Sequence, residues 1–362
     1  MINEKLLKSD ERALLTLRSL YKAYGYLPFK MSKFEEYDLY VRNKDFLVSE
    51  GIITFTDTAG KLMALKPDVT LSIIKNGTDE KGCKQNVYYN ENVYRPSGET
   101  RQYKEIMQAG LECIGDVGVY DLFEVLLLAA KSLSSISEDY VLEISHMGIL
   151  AGLLEDISSD EDFASEIAKC VKEKNAHEIR AIGEKYGIEG EKLDPLCEFI
   201  GIYGSPASVI ERLTPLCKNE TSKAALETLS AIAVLFEGRE EAGNIRFDFS
   251  IVNDMHYYSG IVFGGYLYGI PESVLSGGQY GRLMEKMGRR ADAVGFAIYL
   301  DLLEGFGAKS DSYDVDVLVI AKSGAEPSGI AKAVEALIKE GKTVSVQSAI
   351  PEKLRYKELI EL

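Results

Sequence analysis

The chain has 362 residues, of which 46% are hydrophobic and 27% are charged, as in an ordinary globular protein. Its formal net charge is −16, from 57 acidic and 41 basic side chains. A protein that binds nucleic acid needs lysine and arginine in excess on some face, so this balance argues against tRNA or DNA as the main partner.

Neither a membrane span nor a secretion signal is found in the sequence. No run approaches the roughly 20 uncharged apolar residues that cross a bilayer, and the start lacks the apolar core of a signal peptide. The five cysteines are widely spaced without a Cys-x-x-Cys pair, and the three histidines are scattered. We therefore expect a cytoplasmic protein with reduced thiols, no membrane partner, no metal and no cofactor.

The first 154 residues predict a mixed core of helices and strands. The predicted elements are a helix over 10–24, short strands and loops over 31–65, a short helix that opens over 67–70 and stops near Gly77, strands over 87–95 and 105–115, a helix over 121–133, a strand over 140–144 and a helix over 146–154. The two strands around the long polar loop indicate a hairpin. Strands that meet as hairpins favour an antiparallel sheet with helices on one side.

The remainder of the chain predicts three further parts. Residues 155–240 read as four or five amphipathic helices with acidic linkers, which we interpret as a helical insertion. The core then continues over 241–308, with strand patterns at 247–251 and 257–268. After a polar linker, residues 313–362 predict a small β-α-β unit: a strand over 315–321, a helix over 327–340 and a strand over 343–347.

The second strand of the predicted hairpin carries the clearest chemical pattern. Because side chains alternate along a strand, Gln108, Gly110 and Glu112 face the same way. Gly110 leaves an open place between two polar groups, which is how a sheet makes room for a small ligand. An exposed sheet face also alternates polar residues, so the pattern by itself fits a binding site or a solvent-facing strand.

This strand and the loop before it resemble motif 2 of the class II aminoacyl-tRNA synthetases, in the form found in histidyl-tRNA synthetase. Other stretches resemble the same family in the same order. They are 65–70, similar to "L-R-P-E-x-T"; 249–263, similar to "V-R-G-L-D-Y-Y-T-G-x-V-F"; 277–280, similar to "G-G-R-Y"; and 295–298, similar to the opening of motif 3. The resemblance implies the α+β fold of class II synthetases, an antiparallel sheet flanked by helices.

The resemblance also implies a histidine pocket. It is formed by Asp68, Thr70, Gln108, Glu112, Tyr257, Tyr258 and Gly278, with Tyr257 and Gly278 as walls. Asp68, Thr70 and Gln108 would hold the α-ammonium, the natural partner of a carboxylate. Glu112 and Tyr258 would meet the imidazole. Two alternatives stay open: Asp68 as the N-cap of the following helix, and the tyrosine pair as sheet packing.

Other positions depart from the synthetases where amino-acid activation needs positive charge. That reaction requires cations on the ATP phosphates and at the α-phosphate. Asn253 and Leu302 stand where the active family has arginine, and Gln279 replaces the arginine of "G-G-R-Y". Arg95 and Arg101 remain as phosphate-facing residues of motif 2, with a strand-end ion pair as the alternative for Arg95. The resemblance therefore implies that synthetase chemistry is lost.

A histidyl-synthetase-like core without a catalytic arginine resembles the regulatory subunits of ATP phosphoribosyltransferase. Residues 31–40 and 142–150 are also similar to that family. The resemblance implies a subunit that is not itself an enzyme and that forms a homodimer, through motif 1, within a hetero-oligomer. Its partner would be the short catalytic transferase of the first step of histidine biosynthesis, with histidine as a candidate feedback effector.

Two other functions stay open. A divergent histidyl-tRNA synthetase, or a related ligase that activates an amino acid, is opposed by Asn253 and Leu302. It is also opposed by the C-terminal unit 313–362, since the anticodon-binding domain of the synthetase needs about a hundred residues. The sequence does not distinguish a free-standing histidine sensor without a transferase partner from a regulatory subunit, because partner surfaces leave no sharp motif.

Overall fold

The computed structural model describes residues 7–43, 51–77, 82–96, 102–251, 258–303, 306 and 313–362. The chain divides into two units, Met1–Phe306 and Gly307–Leu362. Within the described residues, no helix combines the length and the apolar character that a membrane crossing requires. The helices over 155–240 lie in the first unit, and their status as an insertion stays a prediction.

The first unit contains eleven α-helices and twelve strands in its described part. The helices are α1 (Ser9–Ala23), α2 (Tyr37–Arg42), α3 (Thr70–Asn76), α4 (Val119–Ile136), α5 (Met147–Glu155), α6 (Glu161–Lys172), α7 (Ala176–Lys185), α8 (Asp194–Ile200), α9 (Pro206–Leu213), α10 (Glu220–Phe236) and α11 (Gly281–Lys286). The strands are β1 (Leu27–Pro28), β2 (Phe34–Glu36), β3 (Thr54–Thr56), β4 (Leu62–Leu65), β5 (Gln85–Pro96), β6 (Tyr103–Gly115), β7 (Tyr140–His146), β8 (Tyr203–Gly204), β9 (Ile245–Asp248), β10 (Ile261–Leu267), β11 (Leu275–Gln279) and β12 (Asp292–Tyr299). Short 3-10 helices cover Gly190–Leu193, Glu240–Asn244 and Leu300–Leu303.

Most predicted elements are confirmed, and the differences have local causes. The predicted alternation over 247–251 ends early, because the carboxylate of Asp248 accepts a hydrogen bond from Ser250 N (2.8 Å) and turns the chain. The strand predicted over 257–268 begins at Ile261 in the described residues. Helix α2 lies where only strands and loops were predicted. Strands β11 and β12 were not predicted as strands, since their glycines interrupt the apolar pattern.

The strands of the first unit form two sheets in the part that the structure describes. The larger has nine strands in the order β1-β5-β6-β12-β11-β10-β7-β9-β8, and the smaller has the order β2-β4-β3. Neighbours in the large sheet run antiparallel except for the pairs β1–β5 and β7–β9 near its ends. The predicted antiparallel sheet flanked by helices is confirmed, with parallel pairing only toward its edges.

Helices α1 and α4 cover one face of the large sheet with aromatic packing. The register places Tyr88, Leu111, Phe296, Gly277 and Phe263 in one row across five strands. The buried ring of Tyr21 on α1 lies 6.1 Å from the rings of Tyr88 and Phe296. A Cβ at Gly277 would come within 2.6 Å of carbon atoms of Phe296 and Phe263, so glycine lets the two rings meet. This face is therefore the hydrophobic core, and the opposite face is left for polar groups.

Helix α10 approaches α5 closely at Gly152. Asn219, the N-cap of α10, accepts a hydrogen bond at Oδ1 from Ser222 N (2.8 Å) and donates from Nδ2 to the carbonyl oxygen of Gly152 (2.6 Å). A Cβ at Gly152 would lie 2.7 Å from atoms of Asn219 and Ser222, so a side chain there would push the helices apart. This contact ties the predicted insertion to the helix that precedes it.

The second unit is a three-stranded parallel sheet with one helix in its described residues. Its elements are β13 (Val315–Ile320), α12 (Pro327–Lys339), β14 (Val344–Gln347) and β15 (Tyr356–Glu361), with β13 in the middle of the sheet. The predicted β-α-β unit is confirmed. The third strand was not predicted; it is positioned by Asp314, whose carboxylate accepts hydrogen bonds from the backbone and the guanidinium of Arg355 (2.8 and 2.7 Å).

The junction between α5 and α10 yields a stability prediction. Asn219→Asp keeps the acceptor for Ser222 N and loses the donor to Gly152, whereas Asn219→Ala loses both. We expect the free energy of unfolding to fall by about 1 kcal/mol in the first variant and about 2 kcal/mol in the second. Urea denaturation measures both values.

Asp160→Ala is the matched control, because Asp160 caps α6 through Phe163 N (2.9 Å) and should cost only the cap, about 1 kcal/mol. Asn219→Asp with the stability of the wild type would show that the bond to Gly152 contributes nothing.

Candidate functional site

The face of the large sheet opposite α1 and α4 has a floor of small residues. Across the strands, Glu112 pairs with Gly295 and Gly295 pairs with Gly278. One pleat further along, Gly110 pairs with Ala297. Because four of these five residues have little or no side chain, groups from other strands and loops can lie directly on the backbone.

Glu112 is the central polar group of this floor and is only 2% exposed. Its Oε1 accepts a hydrogen bond from Thr70 Oγ1 (3.1 Å), and its Oε2 accepts one from the hydroxyl of Tyr280 (2.6 Å). A Cβ at Gly295 would overlap Oε2, so the carboxyl group occupies the space that a side chain would fill. Burial is the main cause that raises the pKa of Glu112 to about 8, and the two hydrogen bonds oppose the rise. The group is therefore largely protonated at neutral pH.

Tyrosine side chains use the space above the other two glycines. Tyr89 pairs with Gly110 in register, and a Cβ at Gly110 would lie 2.5 Å from the Tyr89 hydroxyl. A Cβ at Gly278 would lie 2.6 Å from Cε1 of Tyr258. The prediction that Gly110 leaves an open place is therefore wrong, because the hydroxyl of its cross-strand neighbour fills it. The glycines make room for the protein's own tyrosines.

Asp68 and Arg95 form a second polar pair beside this floor. Asp68 Oδ1 accepts a hydrogen bond from Leu71 N (3.0 Å) in the first turn of α3. The N-cap of α3 is Val69, so Asp68 lies one residue before the position that the predicted alternative gave it. Asp68 Oδ2 lies 3.9 Å from Nη2 of Arg95, whose Nε donates to the carbonyl oxygen of Pro67 (2.6 Å). Burial raises the pKa of Asp68 against the opposing charge of Arg95. Asp68 lies two residues before Thr70, the hydrogen-bond partner of Glu112, so both carboxyl groups lie near the start of α3.

Gln108 completes the described polar set. Its side chain is 3% exposed, and no described residue provides a hydrogen-bond partner for its amide. Its cross-strand neighbours are Glu91 and Tyr299. Glu91 is already engaged by the fully buried Lys66, whose Nζ lies 2.5 Å from Glu91 Oε2. A buried amide gains stability from a hydrogen-bond partner, so Gln108 is a candidate contact for a polar ligand.

The structure describes some of the predicted site residues and leaves others outside the described part of the chain. Thr70 contacts Glu112, Asp68 lies two residues before Thr70, Tyr258 lies on Gly278, and Gln108 lies on the same face of β6 as Glu112. Tyr257, Arg101 and Asn253 lie outside the described residues. Gln279 donates from its amide to Asp292, and Leu302 packs against the hydrophobic core. Among the described residues no group of three side chains is suited to a metal ion.

Two functional side chains were missed by sequence reasoning. Tyr280 follows the glycine pair in the stretch similar to "G-G-R-Y", where the missing arginine was considered and the tyrosine was not. Tyr89 shows no signal in the sequence, since only the register with β6 places it over Gly110.

Comparison with known proteins decides the family. The family model described as histidyl-tRNA synthetase matches residues 3–303. The ATP phosphoribosyltransferase regulatory subunit of Clostridium kluyveri is 31% identical over 317 residues, which are 84% of this chain and 80% of that protein. The chain belongs to the ATP phosphoribosyltransferase regulatory subunits. Its predicted role as such a subunit in histidine biosynthesis is confirmed by this membership.

Solved structures agree in fold with this regulatory-subunit family. An ATP phosphoribosyltransferase regulatory subunit/histidyl-tRNA synthetase from Bacillus halodurans has a TM-score of 0.77 at 23% identity, over 98% of this chain and 93% of that one. A chain of the ATP phosphoribosyl transferase (HisG:HisZ) complex from Thermotoga maritima has a TM-score of 0.64 at 21% identity, over 80% of this chain and 97% of that one. The predicted class II synthetase fold is confirmed.

The buried carboxyl group yields a pH prediction. The folded pKa of Glu112, about 8, lies above the ordinary value of 4.5, so its stabilising contribution is complete below pH 4.5 and is lost as the pH rises to about 8. Glu112→Gln mimics the protonated form and cannot ionise, so the variant should not lose this stability as the pH rises. Urea titrations at about pH 5.5 and about pH 8.5 measure the free energy of unfolding of the variant and of wild type. The variant's value minus the wild-type value should be larger at the higher pH by more than about 1 kcal/mol.

Glu166→Gln serves as the control. Glu166 is a partly exposed carboxylate whose pKa is lowered by hydrogen bonds from Lys185 and Tyr186, so the effect of its substitution should be the same at both pH values. A difference between Glu112→Gln and wild type that does not change with pH would show that Glu112 ionises normally.

Proposed function

We propose that this chain is the non-catalytic subunit of a two-component ATP phosphoribosyltransferase, that a short catalytic subunit needs it for activity, and that it conveys histidine feedback in the cytoplasm. Its membership of the regulatory-subunit family carries the proposal. The HisG:HisZ complex from Thermotoga maritima, which shares the fold, supports partnership with a catalytic transferase chain.

The polar site supports histidine as the effector. Asp68, Thr70 and Gln108 would hold the α-ammonium: Asp68 is a buried carboxyl group and Gln108 has no described partner for its amide. The Thr70 hydroxyl donates a hydrogen bond to Glu112. The lone pairs of the Thr70 oxygen therefore stay available to accept a hydrogen bond from an N–H group of the ligand. Glu112 and Tyr258 would face the imidazole, between walls formed by Gly278 and Tyr257.

Loss of synthetase chemistry belongs to the same proposal. Adenylate formation needs several cations around the phosphates. Leu302 packs into the core, and Asn253 carries no charge. Arg95 is held between the carbonyl oxygen of Pro67 and the carboxylate of Asp68. The remaining charge is therefore too small for amino-acid activation.

A homodimer through the motif 1 region is also part of the proposal. Large apolar side chains there are exposed, namely Leu27, Phe34, Val41 and Phe55. The rings of Phe34 and Phe55 pack edge to face with centroids 5.2 Å apart. Exposed apolar groups that cluster in this way are typical of surfaces that a protein partner covers.

Mixing this chain with a short ATP phosphoribosyltransferase tests the partnership. By itself the chain should transfer no phosphoribosyl group. The mixture should elute as one complex, and the rate of the transferase should rise roughly tenfold or more, within the usual range of allosteric coupling. Histidine should lower the rate of the complex. Separate elution with an unchanged transferase rate would refute the proposed role.

An exchange assay tests the lost chemistry. Each missing transition-state cation costs roughly a hundred- to a thousandfold in rate, so histidine-dependent exchange of pyrophosphate into ATP should be undetectable. An active histidyl-tRNA synthetase in the same assay is the positive control. Exchange near the rate of that control would identify the chain as a working synthetase.

A further inference from the structure

A cavity of about 440 Å³ lies where α5 meets the helices that follow it. Its floor is apolar: Leu153 and Leu216 are buried, and Ile157 and Pro195 are half-buried. In the described part of the chain, none of its lining residues belongs to the polar site of the large sheet. Small-molecule sites in proteins are mostly apolar and have volumes of about 300–1,000 Å³, so this cavity has the size and the lining for a small ligand.

Charged side chains form the rim of the cavity. They are Asp156, Glu191, Lys192 and Lys218, all of which are exposed. No described residue forms a hydrogen bond or an ion pair with any of these four side chains. Their charges cancel, so a ligand with a large net charge of either sign would meet two like charges. A ligand that carries one positive and one negative group finds partners for both.

The two sides of the cavity each supply one acid and one base. Asp156 directly follows α5, and Lys218 directly precedes Asn219, the N-cap of α10. Glu191 and Lys192 are consecutive residues of the 3-10 helix Gly190–Leu193. A zwitterion bound between the two sides would therefore connect α5 and α10 to the 3-10 helix.

Both sides are held in place by hydrogen bonds of the protein itself. Asn219 Nδ2 donates to the carbonyl oxygen of Gly152 on α5 (2.6 Å). On the other side, Arg180 Nη2 donates to the carboxylate of Asp194 (2.8 Å), the residue that begins α8 after the 3-10 helix. Binding then has to order only the four rim side chains, which lowers the entropic cost of association.

We propose that this cavity binds a hydrophobic α-amino acid as a second ligand of the chain. The side chain of the amino acid lies on the aliphatic floor, its carboxylate contacts Lys192 and Lys218, and its ammonium contacts Asp156 and Glu191. A nucleotide fits less well, because its phosphate would face the two carboxylates as well as the two lysines. Histidine also fits less well, because the aliphatic floor offers no acceptor for the N–H of an imidazole. The inference is independent of the proposed histidine site.

Calorimetric titrations of the full chain with three probes test this inference. L-phenylalanine carries both charges, phenethylamine lacks the carboxylate, and 3-phenylpropionate lacks the ammonium. L-phenylalanine should bind roughly three- to tenfold more tightly than either analogue, because each exposed ion pair contributes little and each charged group of the ligand gains two of them.

Variants of the rim assign the contacts. Lys192→Met combined with Lys218→Met should lower the affinity for phenylalanine to that for phenethylamine and should not weaken phenethylamine binding. Asp156→Asn combined with Glu191→Gln should lower the affinity for phenylalanine to that for 3-phenylpropionate. Because the four side chains are exposed, both double variants should fold.

Lys169→Met combined with Lys172→Met is the matched control, since both lysines are exposed on α6 outside the cavity, and it should bind all three probes as wild type does. Equal affinities for the three probes, no phenylalanine binding up to about 10 mM, or wild-type binding in the rim variants would each overturn the inference. Asp68→Asn removes the ammonium contact of the proposed histidine site and should bind phenylalanine as wild type does. Loss of phenylalanine binding in Asp68→Asn would assign that ligand to the large sheet and refute the cavity. Absence of histidine binding, in contrast, would refute only the effector part of the proposed function.

Discussion

The hydrogen bonds to the buried carboxyl group of Glu112 join three parts of the chain. Thr70 comes from the start of α3, Glu112 from the middle of β6, and Tyr280 from the residue before α11. These residues are far apart in sequence, and they meet at the glycine floor of the sheet. The polar site and the tertiary structure around it therefore depend on the same few hydrogen bonds, which are costly to break because their acceptor is buried.

The two faces of the large sheet have different roles. The face under α1 and α4 is packed with aromatic rings and fixes the sheet. The other face carries the groups proposed to recognise a small polar molecule, while positions 253 and 302 carry Asn and Leu, which supply no positive charge. Recognition needs only a few well-placed partners, whereas phosphoryl-group chemistry needs a concentrated positive field. A subunit that signals the presence of a ligand can therefore retain the groups that recognise the ligand and lose the positive charges that the reaction needs.

Sequence reasoning succeeded where the signal was local. The periodicity of α1, α4 and the hairpin strands follows from side-chain spacing, and motif order indicated the family. It failed where the outcome depends on distant pairing: Tyr89 covers Gly110 only because β5 and β6 pair in that register, and Tyr280 reaches Glu112 only through the fold. Strands β11 and β12 were not predicted because their glycines interrupt the apolar pattern. The side chains that fill the space above these glycines come from other strands and loops, so the sequence of β11 and β12 does not show them.

The glycine floor has a genetic consequence. Every glycine codon becomes an alanine codon by a single base change, and at Gly295 that one methyl group would overlap the Glu112 carboxyl group. One mutational step would therefore disrupt the proposed ligand site while every charged and polar residue of the site stays in place. Reading only the polar residues of a relative would overlook such a loss, and the glycines beneath them are the positions to inspect first.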